Sequence, residues 1–228
     1  MENKIIIYHG SDHIIKNPIY GYGKKYNDYG LGFYTTEDCE LAKEWAVSIN
    51  KGGYANKYEF DLSDLKILNL SNYNVLHWIT ILLQNRFFEV KTDIASIGKD
   101  FLIKNYLLPY EKYDVIIGYR ADDSYFQFAQ SFLNNTISIS RLEEALKLGN
   151  LGEQIVLKSE KAFNQLKYID SIMADNKIYY QKREKRNEDA RNDFLLSRRK
   201  KLSINDIFLN DLIRGDKKWF MLIMKIIY

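Results

Sequence analysis

The sequence predicts an α+β fold, because strand-like and helix-like segments are interleaved without the regular βαβ alternation of a doubly wound sheet and without a repeat. Composition agrees: 228 residues, 46% hydrophobic and 28% charged, make an ordinary globular chain with enough length for a real core. Aromatic residues make up 14% and only two prolines occur, which argues against long disordered stretches. Charge then divides the chain. Residues 1–174 hold 19 Lys+Arg against 22 Asp+Glu, whereas 175–201 hold 10 against 5. The expected organisation is a body over 1–174 and a basic helical extension over 175–228 that ends in the apolar tail WFMLIMKIIY.

IIIYHG (5–10) reads as a short buried strand with a histidine and a glycine at its end. GFYTT (32–36) reads as a second strand bounded by glycine. Thr36, followed by Glu37 and Asp38, predicts a helix start, since a hydroxyl cap and an acidic first turn satisfy free backbone N–H groups. Leu41, Ala42, Trp45 and Ile49 would give that helix its apolar face. NKYEFDL alternates as a half-buried strand, and KILNL is expected to continue the same sheet after a turn. VLHWITILLQNRF (75–87) and the stretch around IGKDFLIKNYLL are helical in length and pattern. YDVIIGY (113–119) is a buried strand ended by Gly118, and ADDSYFQFAQSFL runs on as a helix behind two aspartates. SRLEEALKLG (140–149) places Ser140 and Glu143 at capping-box spacing with Gly149 at the end. EQIVLKS (153–159) is the next strand, and KYIDSIM closes the body.

Several chemistries are excluded by pattern. GYGKKY (21–26) opens like a dinucleotide fingerprint, but it lacks the last glycine and the helix that must follow. Three histidines and one cysteine offer no metal-ligand spacing, so no metal is expected. Cys39, being alone, rules out a disulfide framework within the chain and suits a reducing compartment. Nucleophile-elbow and Walker-type loops are absent. With no leader pattern at its start and no apolar run near the roughly 20 residues a span requires, the chain is expected to be cytoplasmic and free of the membrane. The basic extension could track a phosphate backbone, or be a solvated helix laced with opposite charges.

What remains is a set of polar residues at strand ends: His9, Tyr34, the pair Glu153 and Gln154, and the pair Asp122 and Asp123. YHGS at Tyr8–Ser11, GLGFYTT at Gly30–Thr36, a tryptophan-bearing helix from Trp78 to an Asn-Arg ending at Arg86, Ala-Asp-Asp at 121–123 and a strand led by Gln154 occur in that order. In these pieces the chain resembles the His–Tyr–Glu class of ADP-ribosyltransferases, and more closely a bacterial family of uncharacterised ADP-ribosyltransferase-like domains with glutamine in the third position. The resemblance covers roughly residues 4–172 and leaves the extension uncovered.

The resemblance implies a split mixed β-sheet core with surrounding helices. It also implies NAD as co-substrate, no metal, and mono-ADP-ribosyl transfer to a macromolecular acceptor, protein or nucleic acid. A toxin or phage-defence role, with a neutralising antitoxin as partner, is implied on the same basis. His9 would contact the adenosine-side ribose, the backbone of Gly10 the nicotinamide carboxamide, and the Tyr34 ring the nicotinamide face. Ser11 and Thr35 would support them by hydrogen bonds. Arg86 would clamp the pyrophosphate or serve as a plain ion-pair partner, and Asp122 and Asp123 would contact substrate or simply cap a helix.

Neighbouring strand residues point to opposite faces, so only one of Glu153 and Gln154 can enter the cleft. Apolar Ile155 and Leu157 suit the core, which favours Gln154. A glutamine can orient a ribose hydroxyl but brings no charge. Two other readings stay open: an NAD glycohydrolase with water as acceptor, and a non-catalytic module that binds a nucleotide or nucleic acid.

Overall fold

The computed structural model describes residues 3–121, 123–147, 152–199 and 201–215. Asp122, the side chain of Asp123, Gly149 and the apolar tail lie outside what is described. The chain runs β1 (Lys4–Ser11), β2 (Phe33–Thr35), α1 (Cys39–Ala46), β3 (Gly53–Asp61), β4 (Ile67–Asn69), α2 (Val75–Asn85) and α3 (Asp93–Tyr106). It continues β5 (Val115–Tyr119), α4 (Asp123–Leu133), α5 (Ile139–Ala145), β6 (Glu153–Leu157), α6 (Glu160–Asn164), β7 (Leu166–Ala174), α7 (Asn176–Arg199) and α8 (Leu209–Arg214). This is an α+β fold, as the interleaving predicts.

The strands form two sheets. One has three antiparallel strands in the order β1-β3-β7. The other has four in the order β2-β6-β5-β4, with β4 and β5 parallel and the remaining pairs antiparallel. The sheets touch edge to edge at one bridge, where Tyr8 and Thr36 exchange backbone hydrogen bonds of 2.7 and 3.0 Å. Beyond that bridge β1 and β2 separate. KILNL therefore does not extend the sheet of NKYEFDL, because β4 joins β5 in the second sheet.

Both faces of the second sheet are covered, which explains why strands β5 and β6 read as continuous apolar runs. Ile155 and Leu157 pack with Ile7, Phe33, Tyr58 and Phe60 between the sheets. Val156, one residue out of phase, packs with Ile116, Trp78 and the helical core on the other side.

Three local expectations are corrected. Asp38, not Thr36, caps α1: its carboxylate accepts from the N–H groups of Glu40 and Leu41, while Thr36 is buried and committed to the Tyr8 bridge. Helix α1 then ends at Ala46, leaving Ile49 beyond it and 63% exposed. Ser138, not Ser140, caps α5, and the Ser140 hydroxyl is directed instead to the Asp206 carboxylate at 2.8 Å.

The basic extension begins as a helix, as expected, and that helix packs on the body. Its helix α7 lies on α1, where Arg186 makes two hydrogen bonds of 2.8 and 3.0 Å to the buried carboxylate of Glu44. Arg183 donates to the Val47 carbonyl, Lys182 pairs with Glu40 at 3.0 Å, and Phe194 packs on Phe128 with ring centroids 4.0 Å apart. The helix between 176 and 199 thus belongs to the packed body. Among the described residues no helix is long and apolar enough to cross a membrane.

Candidate functional site

The site lies where β1 and β2 part. Tyr8 turns its backbone N–H and C=O toward Thr36, so by strand alternation Gly10, two residues on, turns its own toward the same edge, away from β3. That edge faces an open cleft of about 430 Å³, lined at its base by His9, Gly10, Phe33 and Tyr34 on one side and by Asp28, Arg86, Ala121 and Gln154 on the other. Trp45 and Arg120 close one flank, and the long β1–β2 loop covers the mouth. The volume falls within the range of small-molecule sites.

The first wall is held by β1 and β2 themselves. His9 Nδ1 lies 2.7 Å from the Tyr34 carbonyl, and its ring stacks on Phe33 at 4.3 Å with planes 25° apart. A carbonyl can only accept, so Nδ1 carries the proton and Nε2 is left with a lone pair. Burial lowers the His9 pKa below its ordinary value, against the raising effect of the Tyr34 carbonyl, so the neutral ring is favoured.

Tyr34 presents its ring to the cleft while its hydroxyl donates to the Gly30 carbonyl at 2.6 Å and accepts from the Tyr29 N–H at 3.0 Å. Gly30 takes φ +73, and a Cβ there would also meet Asn85 Oδ1 at 2.6 Å, so glycine is required on both counts. Burial raises the Tyr34 pKa far above the physiological range, so its hydroxyl acts only as a neutral anchor.

Packing alone requires glycine at position 10. A Cβ on Gly10 would fall 2.1 Å from the Ala42 carbonyl and 2.9 Å from the Trp45 Cβ, both on α1. Close packing of the strand on the helix imposes the glycine, and its backbone edge faces the cleft as a result.

The opposite wall centres on Asp28, which the sequence did not single out. Only 6% exposed, it accepts from Arg86 Nη1 and the Ala121 N–H, each at 2.8 Å, and from Gln154 Nε2 at 3.1 Å. Burial pushes its pKa up, opposed in order by the Ala121 N–H, Arg86 and Gln154. Gln154 is 2% exposed and gives its second amide hydrogen to the Tyr119 carbonyl at 3.2 Å. Both partners of its nitrogen are acceptors, which fixes the amide with Oε1 as the group left to accept. Arg86 also lies over the Phe126 ring at 5.1 Å. Its pairing with Asp28 favours the ion-pair role, while the guanidinium still lines the cleft.

Other expected residues divide clearly. Ser11 lines the cleft rim and is tied to Asn56 Nδ2 at 3.0 Å. Thr35 is fully buried with its hydroxyl on the Ile155 carbonyl, and does not reach the cleft. Glu153 is exposed at the start of β6 opposite Tyr119 and is not among the lining residues. Asp123 opens α4, directly after the undescribed Asp122.

Trp45 packs half-buried on the core, as its place on the apolar face of α1 predicts, and also lines the cleft. Arg120 stands over its ring at 4.3 Å, and its indole nitrogen is buried without a hydrogen-bond partner. Asp28 and Arg120 lie just outside two motifs, two residues before Gly30 and directly before Ala121, so their position beside a glycine-rich turn and a strand end is the signal that could have flagged them. Among the described lining residues Lys24, Arg86 and Arg120 outnumber the carboxylates, of which Asp28 is one, so this part of the cleft is net positive and suited to an anionic ligand. Among the described residues no group of three or more His, Cys, Asp or Glu could hold a metal ion.

No curated protein and no solved structure matches the chain. Residues 5–168 match the family described as Protein of unknown function (DUF3990), and the chain belongs to that family.

Proposed function

We infer that the protein is an NAD-dependent ADP-ribosyltransferase whose donor site is the cleft between β1 and β2. The observation that carries this reading is the convergence of His9, the Gly10 backbone edge and Tyr34 on one wall with Gln154 on the other, in a net positive cleft. The residues fit the donor chemically. A neutral His9 with a free Nε2 lone pair can accept from a ribose hydroxyl. The Gly10 edge offers one N–H and one C=O, the complement of a carboxamide. The Tyr34 ring gives a planar face for stacking.

The chemistry is cleavage of the bond between nicotinamide nitrogen and ribose C1′. Nicotinamide leaves with the bonding electrons, the acceptor forms the new bond at C1′, and the acceptor's proton departs. The chain's part is to hold the donor and favour positive charge developing at C1′. With its Nε2 held by Asp28 and Tyr119, Gln154 would offer Oε1 to a ribose hydroxyl. Asp28 is the carboxylate beside it among the described lining residues.

Labelled NAD incubated with the protein and cell lysate provides the test. Transfer of label or release of nicotinamide is expected, with a loss of at least tenfold in His9→Ala. Wild type indistinguishable from His9→Ala, with neither product formed, would sink the reading. Release of free ADP-ribose with no labelled macromolecule would assign water as the acceptor and make the protein an NAD glycohydrolase.

A further inference from the structure

The loop that joins β1 to β2 lines the cleft and combines exposed aromatic and basic side chains. Residues 13–27 contain three lysines and no acidic side chain. Within it, Ile19 is 69% exposed, Tyr22 80% and Tyr26 82%. Lys16, Lys24 and Lys25 are exposed as well. Tyr22 and Lys24 line the cleft itself, so the loop's aromatic and basic groups begin where the donor site ends.

Backbone geometry sets the display. Tyr22 is flanked by Gly21 at φ +80 and Gly23 at φ +138, left-handed conformations that residues with side chains rarely adopt. At Gly21 an added Cβ would meet nothing within 4 Å, so packing does not require that glycine. The two glycines serve the path of the chain, which carries Tyr22 outward. Tyr20 alone of the three tyrosines has a ring partner, standing edge-on to Phe163 at 5.6 Å. Asp12, just before the loop, is paired with Lys51 at 2.6 Å and hydrogen-bonded with His13 Nδ1 at 2.6 Å.

We propose that the 16–26 loop is a stacking and phosphate-contacting platform for single-stranded nucleic acid, which it leads into the cleft as the acceptor. Exposed rings interleaved with lysines are what an unpaired strand requires, since bases stack on the rings and the lysines neutralise the backbone. A duplex hides its base faces and would gain only the lysines. The alternative basic surface is α7, but Lys182, Arg183 and Arg186 are engaged with Glu40, the Val47 carbonyl and Glu44. The proposal rests on the donor-cleft reading for the word acceptor, but the binding it predicts does not need NAD.

Fluorescence anisotropy with labelled RNA and DNA strands of about 15 nucleotides, within the span of single-strand sites, tests it on the full chain. Wild type should bind single strands more tightly than a duplex of the same sequence, and the RNA and DNA arms identify which strand is preferred. Tyr22→Ala and Tyr26→Ala should each weaken binding roughly 5- to 100-fold, the range expected for loss of one stacked base. Lys24→Ala combined with Lys25→Ala should make the slope of log affinity against log salt shallower by about 1.4.

Equal affinity for duplex and single strand, no binding, or unchanged affinity in both tyrosine variants would overturn the proposal. Selective binding of an acceptor protein through this loop in place of nucleic acid would overturn it too. Calorimetry with NAD alone separates the two readings. NAD binding without strand binding removes the platform and leaves the donor site, and strand binding without NAD binding does the reverse.

Discussion

The two walls of the cleft are built on different principles. On one side the side-chain hydrogen bonds of His9 and Tyr34 span at most 25 residues, on strands that are themselves held by β3 and β6. On the other, Asp28, Arg86, Ala121 and Gln154 meet from four separate segments, over separations of 58, 93 and 126 residues. The side chains of the first wall are fixed by partners close in sequence. The second exists only when the whole fold is assembled, so it ties the site to global stability.

Removing the hub of the second wall should have the largest effect. Asp28→Ala leaves the Arg86 guanidinium, the Ala121 N–H and one Gln154 hydrogen without their partner. Loss of one member of a buried pair costs about 3–5 kcal/mol, and the lower end applies because Arg86 is 27% exposed. Urea denaturation measures it. A loss under about 1 kcal/mol would mean that the wall does not depend on this carboxylate.

Gln154→Glu is next. The amide nitrogen faces two acceptors, so a carboxylate in its place would meet the Asp28 carboxylate and the Tyr119 carbonyl with no hydrogen to give. It must either take up a proton or disrupt the wall, at a cost of about 2–3 kcal/mol at neutral pH, relieved as pH falls and the new acid protonates. A variant as stable as wild type at pH 7 would contradict the hydrogen-bond assignment.

The first wall should respond more weakly. Tyr34→Phe keeps the ring and loses two hydrogen bonds to the turn at 29–30, worth about 1–2 kcal/mol by the same denaturation. A larger loss would mean that the local wall also carries global structure. His9 gives the smallest effect, visible through pH. Its folded pKa lies below the ordinary 6.5, so its contribution to stability is present above that value and is lost as pH falls through the lowered folded value. Denaturation midpoints between about pH 8 and pH 5 should therefore fall more steeply for wild type than for His9→Gln. Parallel curves would contradict a neutral, buried ring.

The same contrast decides what the sequence makes legible. IIIYHG and GFYTT announce themselves because periodicity, glycine punctuation and aromatic residues all lie within a few positions of one another. The choice between Glu153 and Gln154 was also within reach, since apolar Ile155 and Leu157 share one face of the strand and take it into the core. Asp28 was not. Nothing within ten residues of it distinguishes a buried carboxylate from one more acid in a polar loop; its identity comes from Arg86, Ala121 and Gln154.

The basic segment 175–201 shows the converse. Its charge is conspicuous in the sequence, yet the acids that engage it, Glu40 and Glu44, lie on α1, some 140 residues earlier. The cap lies at Asp38 and not Thr36 because α1 starts at Cys39, so the Thr36 hydroxyl reaches only the Asp38 N–H while the Asp38 carboxylate takes the first free N–H groups of the helix.

The central claim is that Gln154, held by Asp28, faces the donor while Glu153 faces solvent. Nicotinamide release from NAD, measured for wild type, Glu153→Ala and Gln154→Ala at equal folded concentration, tests it most directly. The account predicts release by wild type, an unchanged rate in Glu153→Ala, and a rate at least tenfold lower in Gln154→Ala. A rate lost in Glu153→Ala and retained in Gln154→Ala would contradict it.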